Sequence, residues 1–136
     1  DVYKRQHIHP AAFSVAVSAK KRGGALLVTD AMPTVGSPDT SFILDGKTIV
    51  ASEGRVSNAE GTLAGSDLNM LLAVNNATEF ARLDWFEAVR MASLYPAKAL
   101  GLERQLGAIR PGFRASLVAL DRAHHIGASW VDGIRA

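Results

Sequence analysis

The pattern of apolar and polar positions predicts an α/β arrangement that begins with a helix followed by a buried strand. Pro10 opens an Ala- and Val-rich stretch that ends in a basic turn at Arg22, and two glycines come next. Proline suits the first turn of a helix, cations complement its last turn and glycine stops it. The short apolar run after the glycines is bounded by turn residues, as in a buried strand. We therefore expect a helix over 10–22 and a strand over 25–29.

The middle of the chain predicts short strands and then a loop. Extended pieces are expected at 41–44, at 48–51 and near Val56, and Asp45-Gly46 between the first two is a strong hairpin signal. The Leu-Ala-Gly-Ser segment at 63–66 is expected to be a loop that enters the next helix.

Two helices are predicted after this loop. The first should cover about 67–80, with Ser66 at its N-cap and an apolar face that includes Leu68, Leu71, Leu72 and Val74. Asp84, with a glutamate three residues later, is a capping-box-like start for the second helix, over about 85–98. Pro96 should end or kink that helix. The side chains expected to face inward from it are Phe86, Val89, Leu94 and Ala97.

A β tail completes the α/β pattern. From Gly107 the sequence reads as a turn at 108–112, strands at 115–120 and 128–131, and a further turn at Asp132-Gly133.

Composition narrows the functional classes. The chain has 136 residues, is 48% hydrophobic and 21% charged, and carries a net charge of +2, which argues for a folded core and gives no strong case for nucleic acid or an anionic membrane. It has no cysteine for a disulfide or a thiolate metal site. No apolar run approaches the roughly 20 residues that span a bilayer. A soluble, cytoplasmic protein is expected.

Asp30 is the strongest candidate for chemistry. It lies in Thr29-Asp30-Ala31-Met32, directly after the apolar run. A carboxylate at the C-terminal end of a buried parallel strand is where barrel enzymes keep catalytic groups. The alternative is a structural carboxylate that caps the following turn.

Two further patterns are weaker. His7 and His9 would share one face of a strand and suit a metal, but two histidines alone do not complete a site, and exposed loop histidines are the alternative. The 63–66 loop would present backbone N–H groups to a polar or anionic ligand, although most such loops are plain helix caps.

Five collinear motifs give a more specific indication. In order they are His-Ile-His-Pro-Ala, Leu-Val-Thr-Asp-Ala-Met-Pro, Gly-Thr-Leu-Ala-Gly-Ser-Asp-Leu-Asn-Met, Arg-Met-Ala-Ser-Leu-Tyr-Pro-Ala-Lys-Ala-Leu-Gly-Leu and Gly-Ala-Ile-Arg-Pro-Gly. Over residues 7–136 this order resembles the C-terminal part of the N-acetylglucosamine-6-phosphate deacetylases, in the amidohydrolase superfamily. The resemblance implies the C-terminal end of a (β/α)₈ barrel over 7–106 and part of a small β-sandwich domain over 107–136.

The resemblance also implies roles for five residues. Asp30 matches the family's catalytic aspartate, which takes a proton from the attacking water and returns it to the leaving amine. His7 matches a histidine that contacts the substrate, whereas His9 falls at a variable position. The residues that match the loop lining the acetamido end of the sugar are Leu63, Ala64 and Gly65.

The implied parent enzyme hydrolyses the acetamide of N-acetylglucosamine 6-phosphate to glucosamine 6-phosphate and acetate. It would use a divalent metal ion, zinc or similar, held by a glutamate and two histidines upstream, so no metal ligand is expected in this chain and the chain alone should be inactive. The parent is expected to be a homo-oligomer. One departure is Ala115-Ser116-Leu117, where the family usually has Ala-Asp-Leu.

Two alternatives stay open at this point. Other amidohydrolase-superfamily hydrolases share the aspartate and the Gly-x-Ile-x-x-Gly tail, but not Leu-Ala-Gly-Ser. A self-contained, non-enzymatic α/β binding domain is the second alternative, and it would need enough strands to bury its own helices.

Residues 1–6, Asp-Val-Tyr-Lys-Arg-Gln, belong to no periodic pattern. They match the translation of the end of a transposase-type sequencing adapter. We expect them to be a sequencing artefact, with a native basic leader as the alternative.

Overall fold

The computed structural model of the chain describes residues 8–136, so the predictions made for His7 and for residues 1–6 lie outside the described residues. Two compact units are present, the first ending at Ala92 and the second spanning Ser93–Ala136. The predicted division at 106/107 into barrel and sandwich portions stays a prediction.

Helices and strands occur in both units, in line with the predicted α/β class. The first unit contains α1 (Pro10–Ser18), β1 (Ser41–Leu44), β2 (Lys47–Ser52), β3 (Arg55–Asn58), β4 (Leu63–Ser66), α2 (Met70–Ala81) and α3 (Trp85–Ala92). The second contains α4 (Leu94–Ala99), β5 (Leu117–Leu120), β6 (Ile126–Val131) and β7 (Ile134–Arg135). Within residues 8–136, no helix is both long and apolar enough to cross a membrane.

Helix α1 starts at Pro10 as predicted but ends at Ser18, four residues before Arg22. The His9 side chain caps its start, where Nδ1 accepts the N–H of Ala11 at 3.2 Å. At the other end the N–H of Lys20 bonds to the carbonyl of Val17, three residues back, which tightens the last turn and ends the helix.

The segment 25–29 forms no strand in the described structure, so the prediction of a buried strand was wrong there. Leu27 is buried and its N–H donates to the Met91 carbonyl at 2.9 Å, whereas Leu26 is 42% and Val28 67% exposed. A strand needs a neighbour along its length, and the described residues supply only a single parallel bridge, between Ala31 and Ser66.

Four antiparallel strands form a sheet in the order β1-β2-β3-β4. The predicted Asp45-Gly46 hairpin is confirmed: both residues have positive φ, +48° and +76°, as a type I′ turn requires. Ile49 and Val56 are buried on neighbouring strands. The segment 63–66 is the fourth strand of this sheet, so the prediction of a loop was wrong.

Helix α2 packs against both α1 and α3. Its N-cap is Asn69, whose Oδ1 accepts the N–H of Leu72 at 2.9 Å. The prediction of Ser66 as N-cap was therefore wrong, because Ser66 belongs to β4 and its hydroxyl is bonded elsewhere. Leu68 and Val74 are buried as expected.

The helix predicted over 85–98 is split at Ser93 into α3 and α4. Pro96 explains the break, since its ring lacks an N–H and would clash with the carbonyl of Ala92 four residues earlier. Asp84 caps α3 as predicted, with Oδ1 accepting the N–H groups of Phe86 at 3.0 Å and Glu87 at 3.3 Å.

Phe86 does not face inward as predicted, because its side chain is 67% exposed. The buried residues of α3 are Ala88 and Met91, three positions apart. At 100° per residue, Phe86 lies about 200° around the helix from Ala88, on the opposite face.

Three antiparallel strands, β5-β6-β7, form the sheet of the second unit and agree with the predicted β tail. Arg114 donates two hydrogen bonds to the Asp132 carboxylate, at 2.8 and 2.6 Å. These bonds hold the pKa of Asp132 below its ordinary value. Ser116, at the position that departs from the family pattern, accepts the N–H of Asp132 at 3.3 Å and so helps to hold the same turn.

Candidate active site

Asp30 lies where the chain after Leu27 meets the end of strand β4. The Ser66 N–H donates to the Asp30 carbonyl at 2.9 Å, and the Met32 N–H donates to the Ser66 carbonyl at 3.0 Å. These two bonds flank the single parallel bridge between Ala31 and Ser66. The backbone around Asp30 is therefore fixed to one residue of the β1–β4 sheet.

The side chain of Ser66 adds two further bonds. Its hydroxyl donates to the Thr29 carbonyl and accepts the N–H of Leu68 at 3.1 Å. Ser66 is only 2% exposed, so water does not compete for these groups. We call Ser66, together with the hydrogen bonds it makes to Thr29, Asp30, Met32 and Leu68, the Ser66 junction.

The backbone of Asp30 is left-handed, with φ +52°. Among residues other than glycine, aspartate is one of the few that adopt this conformation routinely. The bonds of the Ser66 junction on either side of Asp30 compensate for the cost of this φ, which is of order 1 kcal/mol. Asp30 itself is exposed and its carboxylate is accessible from solvent.

Gly65 lies directly before the junction, and the Met32 side chain occupies the space that a side chain at Gly65 would need. The φ of Gly65 is +81°, and a Cβ built there would lie 2.5 Å from Cε and 2.7 Å from Cγ of Met32. Met32 therefore packs against the bare Cα of Gly65. The positive φ favours glycine here, and any larger residue would also displace the Met32 side chain.

The structure thus brings together two of the predicted site elements, Asp30 and the segment 63–65, and Ser66 joins them. Leu63, Ala64 and Gly65 are each partly buried. The argument that these residues offer the free N–H groups of a loop entering a helix was wrong, because they form β4. His7, the third predicted element, lies outside the described residues, and the His9 ring caps α1.

The positioning of Asp30 by Ser66 was missed in the sequence. Serine followed by a helical pattern was interpreted as an N-cap, but Asn69 three residues before Leu72 is an equally good cap and lies closer to the helix. The presence of this second candidate cap was the signal in the sequence that Ser66 could have another function.

The described residues do not form a metal site by themselves. Within residues 8–136, no group of three or more His, Asp or Glu side chains is placed to hold a metal ion. Asp30 could complete a site only together with ligands from outside this part of the chain.

Comparison with known proteins identifies the family of the chain. The sequence profile of the Amidohydrolase family matches residues 24–135. The chain belongs to the amidohydrolase family. The resemblance found in the sequence is thereby confirmed at the family level, which favours an enzyme over a non-enzymatic binding domain.

Members of the family from bacteria are similar over most of the chain. N-acetylgalactosamine-6-phosphate deacetylase from Escherichia coli O157:H7 is 42% identical over 127 residues, which are 93% of this chain and 33% of that protein. N-acetylglucosamine-6-phosphate deacetylase from Haemophilus influenzae is 35% identical over 123 residues, 88% of this chain and 32% of that protein.

A solved structure gives the same result. The crystal structure of N-acetylglucosamine-6-phosphate deacetylase from Pasteurella multocida matches 98% of this chain and 35% of that one, with a TM-score of 0.88 at 29% identity. The amidohydrolase family member described here therefore spans about a third of the length of these proteins.

Proposed function

We propose that this amidohydrolase segment is the C-terminal part of a deacetylase that hydrolyses the acetamide of N-acetylglucosamine 6-phosphate, with Asp30 as its catalytic acid and base. The observation that carries the proposal is the Ser66 junction, which fixes the backbone of the exposed residue Asp30 to the end of strand β4. The deacetylase names of its relatives supply the substrate class.

The reaction needs a group that accepts a proton from the water and then donates a proton to the amine. Water adds to the acetyl carbon and the carbon–nitrogen bond breaks, which gives acetate and glucosamine 6-phosphate. One proton leaves the water and one must reach the amine nitrogen. A positioned carboxylate can accept the first and donate it to the second, as general base and then general acid. Asp30 is exposed and fixed through its backbone, as this function requires.

The segment Leu63-Ala64-Gly65 is proposed to contact the acetamido end of the sugar. The small residues Ala64 and Gly65 leave room for a flat amide, and Met32 packs against the Gly65 position. His7 is proposed as a further substrate contact, on the strength of its motif.

The amidohydrolase family is generally metal-dependent. A divalent ion such as zinc, when bound, lowers the pKa of a coordinated water and polarises the carbonyl. The residues described here do not hold such an ion alone, and we propose that its ligands, a glutamate and two histidines, lie upstream in the parent enzyme.

The remaining features of the parent are proposals from the same resemblance. They are a (β/α)₈ barrel that includes residues 7–106, a small β-sandwich domain that includes residues 107–136, a homo-oligomeric assembly, a cytoplasmic location, and no interaction with nucleic acid or membrane.

N-acetylgalactosamine 6-phosphate is the second candidate substrate. The N-acetylgalactosamine-6-phosphate deacetylase is 42% identical to this chain and the N-acetylglucosamine-6-phosphate deacetylase from Haemophilus influenzae 35%. The two sugars carry the same acetamide and phosphate and differ in the orientation of one hydroxyl, at C4, so the proposed chemistry at Asp30 is the same for both.

The test is Asp30→Asn in the full-length enzyme that carries this chain. The fold and the metal content should be kept, while kcat should fall about 10²–10⁴-fold, the usual contribution of a general acid or base. Release of acetate from each of the two sugar phosphates gives the rate and identifies the substrate. A variant that retains at least a third of the wild-type rate would contradict the role of Asp30.

A further inference from the structure

We propose that Ser66 is a positioning residue for the reaction, whose hydroxyl sets the direction of the Asp30 carboxylate by holding the backbone on the N-terminal side of Asp30, while the Ser66 backbone holds the C-terminal side. This inference rests on the proposed function of Asp30 and adds a residue to it. The hydroxyl of Ser66 touches neither the carboxylate nor, on the proposed function, the substrate.

The hydroxyl of Ser66 holds a part of the Asp30 backbone that the main-chain groups of Ser66 do not reach. The main-chain N–H and carbonyl of Ser66 fix Asp30 and Met32, on the C-terminal side of the Asp30 Cα. The carbonyl of Thr29, on the N-terminal side, is held by the hydroxyl. Removing the hydroxyl would leave the peptide between Thr29 and Asp30 free to rotate.

The left-handed backbone of Asp30 makes this rotation consequential. At φ +52° the residue is held away from the broad minimum of ordinary L-residues. Without the bond to the Thr29 carbonyl, relaxation toward a negative φ would swing the carboxylate away. A shift of about 1 Å in a reacting group can cost about 10²-fold in rate.

The second partner of the hydroxyl, the N–H of Leu68, fixes the direction of the hydroxyl. The Leu68 N–H donates to Oγ, so the hydroxyl proton is available for the Thr29 carbonyl. Leu68 is 1% exposed, which keeps this arrangement dry and rigid. The serine is thus oriented from the α2 side and acts on the Asp30 side.

The experiment is Ser66→Ala in the full-length enzyme, with acetate release and metal content measured. We expect kcat to fall about tenfold to a hundredfold, with KM within about threefold of the wild type, because substrate contacts are unchanged. Bound metal should stay the same. Wild-type kcat, or a loss explained by lost metal, would overturn the proposal.

A double mutant separates positioning from general stability. If Ser66 acts through Asp30, Ser66→Ala should change the residual rate of the Asp30→Asn enzyme by less than about twofold, since groups that act as a unit are not additive. A full additional loss in that background would show that Ser66 acts independently. If Asp30→Asn is as active as the wild type, the proposed function fails first, and the two failures are distinguishable.

Thr34→Val is the matched control. Thr34 is also buried, lies four residues after Asp30, and its hydroxyl has no hydrogen-bond partner within residues 8–136. Its removal should leave kcat unchanged, and an equal loss in this variant would overturn a specific role for Ser66. Should Ser66→Ala fail to fold, Ser66→Cys fills similar space with a weaker donor. It should still lose kcat, and full activity in that variant would also refute the proposal.

Discussion

Gly65→Ala should lower the free energy of unfolding, because it adds a Cβ against Met32 and forces alanine into a left-handed backbone. The new Cβ would lie 2.5–2.9 Å from three atoms of Met32, at a residue whose φ is +81°. Overpacking of this kind costs about 1–3 kcal/mol. A left-handed conformation costs an L-residue about 1–2 kcal/mol more. We expect a total loss of about 2–5 kcal/mol.

Gly61 separates these two contributions. It has the same φ of +81° with nothing within 4 Å of a built Cβ. Gly61→Ala should therefore cost only the backbone contribution, about 1–2 kcal/mol. The difference between the two alanine variants measures the contact with Met32.

The assay is urea denaturation of the full-length enzyme followed by tryptophan fluorescence, with each variant compared at equal denaturant slope. In the Gly65→Ala background, Met32→Ala should recover about 1–3 kcal/mol, which is the steric part. Equal costs at Gly61 and Gly65, or no recovery with Met32→Ala, would refute the argument that Met32 fills the space at Gly65.

Three further outcomes are expected. His7→Asn in the full-length enzyme should lower the rate of deacetylation and leave the metal content unchanged, and loss of metal by elemental analysis would reassign His7 as a ligand. The pKa of Asp132 is depressed in the folded state by Arg114, so its contribution to stability is present above the unfolded pKa and lost as pH falls through the folded one. Acid titration of amide exchange in β5–β7 should show a larger loss in the wild type than in Asp132→Asn, because the pKa of Asp121 is also lowered, by its hydrogen bond from the His125 backbone. Residues 7–136 expressed alone should release no acetate and should associate through exposed apolar side chains such as Val28 and Phe86; a monomeric, active product would contradict both statements.

Local signals predicted local structure well. The Asp45-Gly46 hairpin and the Asp84 cap depend on residues within a few positions of each other, and both are present in the structure. A break of the helix by Pro96 was predicted, but its position at Ser93 was not. That position depends on which carbonyl clashes with the proline ring.

Predictions that needed a distant partner were less successful. The run at 25–29 is apolar enough for a strand, but strand formation depends on a neighbour that the sequence does not identify. The inward direction of Phe86 was wrong because α3 buries the face of Ala88 and Met91, and which face a short helix buries depends on what packs against it. Ser66 was assigned by its distance from the next helix, whereas its bonds reach back to Thr29, 37 positions earlier. Long-range hydrogen bonds of this kind leave no periodic trace in the sequence.

The Ser66 junction also has a consequence for local opening. Four hydrogen bonds converge on this one residue, two through its backbone and two through its hydroxyl. Movement of Ser66 would break all four together, so partial fraying around Asp30 should be rare. The amides of Met32, Ser66 and Leu68, which come from two stretches of the chain far apart in sequence, should then exchange with solvent through one shared fluctuation, and the carboxylate would alternate between being fully aligned and fully released.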